Sequence, residues 1–151
     1  MNKKKVSLMS IVFVVTMVAI MTVPSYAVLV ENTDSDSGDY IYIKACVSGD
    51  MYGLKLYSPN AYVRAVIEED LPDNNDLVVY WRFLWLDENF VWHEDSDTEE
   101  FPGYRYEGQT VKIEASGLPS VVLQITAIGR AGYDDVWDTR LVITGLPFSP
   151  A

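Results

Sequence analysis

The chain has 151 residues, with 22 acidic and 11 basic side chains and a formal net charge of −11, a length that suits one domain with a single core. The acidic balance argues against nucleic acid and against an anionic membrane surface, because both require a basic face. Its one cysteine, Cys46, excludes an intrachain disulfide, so packing must hold the domain; in an oxidising compartment a lone cysteine is either buried or a candidate for a disulfide dimer.

In chain order, Lys3, Lys4 and Lys5 form a basic start, Ser7 to Val23 an uncharged, mostly apolar run, and Pro24-Ser25-Tyr26-Ala27 a small-residue cleavage site. This pattern predicts a signal peptide over 1–27, cut after Ala27, and a secreted, extracellular product. An uncleaved anchor is the rival, since the run is at the lower edge of the about 20 apolar residues a spanning helix needs. Pro24 and the cleavage site favour removal, after which no membrane contact is expected. Removing the three lysines takes the net charge from −11 to −14.

Residues 28–39, which include "NTDSDSGD", read as a flexible acidic leader. They do not read as an EF-hand loop: Gly38 and Asp39 stand in reversed order, and the twelfth position is Ala45. From Tyr40 the sequence alternates with period two. Strands are predicted at 40–47, 53–58, 61–69, 77–86, 89–94, 109–116, 120–129 and 137–145, separated by Gly, Pro, Asn and Asp clusters. Seven to eight short strands without a long helix predict an all-β, antiparallel β-sandwich over 40–146. Residues 147–151 form a short tail.

The segment 77–86 carries the strongest signal. Val79, Trp81, Phe83 and Trp85 share one face, and Tyr80 and Arg82 the other. Arginine prefers solvent, so Trp81 and Phe83 are expected in the core. Two readings stand for Tyr80, Trp85 and Trp92. They cover the edges of a small core, as aromatic rings usually do, or they are exposed and stack on sugar rings.

The stretch "YVRAVIEEDLPDNNDLVVYWRF" resembles strand B, the B–C loop and strand C of PKD-like (polycystic-kidney-disease) immunoglobulin-like domains. Trp81-Arg82-Phe83 occupies the place of that family's Trp-x-Phe. The Gly-Asp-Gly that follows it there is replaced by Leu84-Trp85-Leu86-Asp87. "GLPSVVLQITAIGRAGYDDVWDTRLVIT" is similar to the family's closing strands F and G. The resemblance implies an antiparallel immunoglobulin-like β-sandwich that binds or spaces rather than catalyses, although fold alone does not license function.

Such a topology would bring three acidic loops to one end: Asp70, Asp73 and Asp76; Asp95, Asp97, Glu99 and Glu100; and Asp134, Asp135 and Asp138. Converging carboxylates repel unless a cation or solvent intervenes. Calcium is the candidate cofactor and a basic protein the candidate partner. Arg64, Arg130 and Arg140 are alternative neutralisers, and three solvated loops the simplest alternative. His93 is the only histidine, which excludes a multi-histidine zinc site. No nucleophile–base set or carboxylate cleft emerges. The expectation is a secreted, non-catalytic binding module with an acidic end. The alternative is a carbohydrate-binding sandwich using Tyr80, Trp85 and Trp92, with a polysaccharide as partner.

Overall fold

The computed structural model describes residues 27–53, 55–69, 71–72, 74–104 and 108–146. The expected signal peptide, apart from Ala27, and the tail at 147–151 lie outside them. Within them the chain is all-β, with eight antiparallel strands and no helix. The strands are β1 (Val28–Ser37), β2 (Ile41–Tyr52), β3 (Lys55–Ile67), β4 (Asn75–Asp87), β5 (Trp92–Pro102), β6 (Gln109–Ser116), β7 (Ser120–Tyr133) and β8 (Val136–Leu146).

The hydrogen-bonded order is β1-β2-β3-β7-β4-β5, with β6 also on β3 and β8 also on β7. Among the described residues β3 and β7 are paired at Leu56↔Ser120 alone. The strands therefore fall into two groups, β1-β2-β3-β6 and β5-β4-β7-β8. The groups meet through side chains: a Cβ added at Gly129 of β7 would lie 2.7 Å from Ile41 Cδ1 of β2. Among the described residues a buried cluster draws on both groups and includes Ile41, Ile43, Val63, Leu77, Val79, Phe83, Ile113, Leu123, Ile125 and Val142. It follows from period-two alternation, since every second residue of β4 from Asn75 to Phe83 is buried.

Three stretches differ from the expectation. Residues 28–37, read as a flexible leader, form β1, paired with β2 from Val28↔Met51 to Ser37↔Tyr42. The pieces at 53–58 and 61–69 belong to one strand, β3. Ser58 takes a φ of 49° before Pro59, opposite a bulge between Ser48 and Asp50, so the alternation breaks while the strand continues. Asp95 to Glu100, read as a loop, are the middle of β5, paired with β4 from Leu86↔Trp92 to Asp76↔Pro102. Both β1 and β5 lie at the ends of the strand order. Neither has a buried position along its length, so neither needs an apolar period, and their charges guard the edges against pairing with another chain.

Candidate functional site

Register pairing sorts the aromatic residues. Trp81 is 6% exposed and Phe83 0%; both point into the core. Trp85 follows them inward. It packs on Phe83 with ring centroids 5.2 Å apart, and His93 stacks on it at 5.2 Å with an interplanar angle of 15°. A Cβ at Gly117 would come within 2.8 Å of the same indole. Trp85 is therefore packed by its neighbours and is no free stacking surface. Tyr80 lies on the outer face in the cross-strand row Thr98–Tyr80–Ile128. Trp92 is 57% exposed, beside Phe90 at 77% and Val91 at 51%.

The β4–β5 turn presents these last three residues, and Asp87 builds it. Its Oδ1 accepts the backbone N–H groups of Asn89 (2.8 Å) and Val91 (2.9 Å). Its Oδ2 lies 2.9 Å from His93 Nε2. The histidine contact, followed by the backbone donor at Val91, holds the Asp87 carboxyl below its ordinary value. Phe90 takes a φ of 61°, a conformation that costs a bulky residue energy unless its surroundings enforce it. The carboxylate of Asp87 does so from both sides of the turn.

Beside this turn lies an open groove of about 450 Å³, lined by Arg82, Leu84, Trp92, His93, Glu94 and Gln124. Glu94, Leu84 and Gln124 form one cross-strand row over β5, β4 and β7. Arg82 Nη2 donates to Glu94 Oε2 at 2.9 Å, and both side chains are nearly half exposed. The groove thus combines one exposed indole and an aliphatic floor with a guanidinium, a carboxylate and a primary amide. Of the three rings expected to stack on a glycan, Trp92 lines it. Tyr80 stands four residues along β4 from Leu84, about 13 Å away. Sequence reasoning does not single out Arg82, Leu84, His93, Glu94 and Gln124 as a group, because their meeting depends on which strands pair and in what register.

The acidic set is distributed differently. Asp70 and Asp73 lie outside the described residues. The β3–β4 loop does reach the β7–β8 turn, where Asn74 Nδ2 donates to Asp134 Oδ1. Asp76 stands beside both Gly132 and Pro102, and Asp135 is exposed in the turn. Asp138 is taken up structurally. Its Oδ2 accepts the Tyr40 backbone N–H at 3.0 Å, and its Oδ1 accepts Arg140 Nε at 3.0 Å. Arg130 lies over the Trp137 ring, 4.0 Å from its centroid. Asp95 and Asp97 are mid-strand, opposite Phe83 and Trp81, and Glu99 is opposite Val79; only Glu100 nears the loop end. Among the described residues no three His, Cys, Asp or Glu side chains gather in a way that could hold a metal ion. The expected convergence of all three segments fails because β5 is a strand where a loop was expected.

Cys46 is 1% exposed, and burial pushes its thiol pKa up. An intermolecular disulfide there would require the surface over β2 to open.

No protein-family model matches the chain, and no curated protein matches it. Among solved structures the chain is similar to one titled "pT26-6p", with a TM-score of 0.43 and 11% identity over 84% of this chain and 34% of that one. The chain spans about a third of that protein's length.

Proposed function

We propose that the chain is a secreted, non-catalytic immunoglobulin-like β-sandwich that binds carbohydrate in the groove beside Trp92. The fold part of this reading is supported by strand order. With β3 as strand B, β6 takes the place of E beside it, while β4, β7 and β8 take the places of C, F and G. That is the partition of immunoglobulin-like sandwiches, with β5 as an added C′ strand. The PKD-like resemblance of 62–83 agrees with this assignment.

The observation that carries the functional part is the exposure of Trp92 at the rim of a groove with hydrogen-bonding groups. Phe90, Val91 and Trp92 are exposed together, and a contiguous apolar patch rimmed by polar groups marks an interaction site. A sugar ring offers apolar C–H faces to an indole and hydroxyls to Arg82, Glu94 and Gln124. The acidic end is a weaker basis for function, since Asp95, Asp97 and Glu99 are carried along β5 and Asp134 and Asp138 are engaged in protein contacts.

The test is retention of the protein on insoluble cellulose, chitin and mixed-linkage glucan. Retention that disappears in Trp92→Ala and persists in Tyr80→Ala supports the groove. Retention on none of them, or equal loss in both variants, contradicts it.

A further inference from the structure

The outer face of the β1-β2-β3-β6 group holds an arrangement that the groove does not use. Lys44 of β2 stands directly opposite Arg64 of β3, and Arg64 directly opposite Lys112 of β6. Three cations therefore form one row across three strands, spaced by the strand separation of about 4.8 Å. Arg64 and Lys112 are exposed and Lys44 is half-buried. Lys112 is bonded to Glu114 and sits 5.4 Å from the centre of the Tyr62 ring. Neither Lys44 nor Arg64 has an ion-pair partner among the described residues.

Like charges placed directly opposite each other in a sheet are unfavourable. This chain has twice as many acids as bases, so chance would sooner set carboxylates against these positions. Glu114 answers Lys112, whereas the adjacent Lys44 and Arg64 have no such partner among the described residues and call for a counter-charge from outside the chain. The flanking rows on this face hold Tyr42, Val66 and Thr110 on one side, and Cys46, Tyr62 and Glu114 on the other. The row ends on β1 at Ser35.

We infer that the Lys44–Arg64–Lys112 row is a binding site for an acidic polysaccharide, separate from the Trp92 groove. An acidic glycan carries one carboxylate or sulfate every sugar or two, a density that three cations can match. Half-exposed Tyr42 on one side of the row, and Tyr62 with Lys112 over its ring on the other, supply aromatic surface, and Ser35 and Thr110 offer hydroxyls. Duplex nucleic acid carries a charge every about 1.7 Å and demands a far more basic surface than this chain provides. An acidic polypeptide would match the charge but leave the tyrosine faces without sugar rings.

The experiment is fluorescence anisotropy of labelled polygalacturonate titrated with the protein, beside labelled dextran and labelled poly-L-glutamate. Polygalacturonate is expected to bind, and more weakly as salt is added. Arg64→Gln or Lys44→Gln should weaken it about tenfold, the scale of one charged hydrogen bond. Lys55→Gln changes the net charge equally, but at the far end of β3, and should leave binding unchanged, as should Trp92→Ala. Circular dichroism checks that each variant is folded. Absent polygalacturonate binding, equal loss in Lys55→Gln, or equal binding of poly-L-glutamate would overturn the inference. Loss of polygalacturonate binding in Trp92→Ala, with none in Arg64→Gln, would place the ligand in the groove instead and would also overturn it.

Discussion

Asp87 Oδ2 lies 2.9 Å from His93 Nε2 across the turn that presents Trp92. The same carboxylate accepts two backbone N–H groups of that turn, so one ionised group holds the hairpin tip. Its folded pKa is depressed, chiefly by the His93 contact. A depressed carboxylate contributes stability that is fully present above its unfolded value, near about 3.9, and is lost as pH falls through the lower folded value. Urea midpoints measured from neutral pH downward should fall on the acid side, and Asp87→Asn should flatten that limb. An identical acid limb in Asp87→Asn would show that other carboxylates carry it.

Gly132 should not tolerate a side chain. A Cβ there would lie 2.1 Å from the Val136 carbonyl oxygen and 2.8 Å from the Trp137 Cα, both backbone atoms of the facing strand. Forced overpacking costs about 1–3 kcal/mol, so Gly132→Ala should lower chemical stability by about 2 kcal/mol. Urea unfolding gives the value. A loss below about 0.5 kcal/mol, the range of ordinary surface changes, would mean that β7 and β8 splay freely at this end.

The buried thiol gives a check on β2. Cys46 is 1% exposed, so the native protein should react with a thiol reagent far more slowly than the urea-unfolded chain. Non-reducing gels should show monomer. Rapid native labelling would mean that the surface over β2 opens readily.

The basic row makes a prediction about stability as well as binding. Replacing Arg64 with Thr removes two like-charge oppositions and adds a β-branched residue, and each cross-strand pair is worth about 0.2–1 kcal/mol. Arg64→Thr should therefore unfold at higher urea concentration than the parent, with the same dependence on denaturant. A destabilised variant would show that the arginine stem holds the sheet together.

Much of the fold is legible in the sequence because its inner strands are half-buried. In β4 the alternation of Val79, Trp81 and Phe83 against Tyr80 and Arg82 is enough by itself to state which face is covered. The same logic fails at β1 and β5, whose acidic residues have no face to bury. It also fails at Ser58-Pro59, where a bend breaks the period and the strand continues. The groove is harder to read for another reason. Trp92 stands out as a ring among polar residues, but Gln124 reaches it only because β7 pairs with β4 in a register that sets Gln124 opposite Leu84. The basic row is hidden for the same cause: Lys44, Arg64 and Lys112 are scattered along 69 residues of sequence and become neighbours only through two pairing registers.

Acrylamide quenching of tryptophan emission, with and without glycan, reads both the exposure of Trp92 and the occupancy of the groove. Trp81 and Trp85 are packed and Trp137 is half-buried beneath Arg130, whereas Trp92 is 57% exposed, so the protein should show a red-shifted, readily quenched component that is strongly reduced in Trp92→Phe. Saturating hydroxyethylcellulose or chitin hexaose should shield that component from acrylamide if the groove holds sugar. Quenching of Trp92 that neither glycan alters would contradict the carbohydrate-binding account.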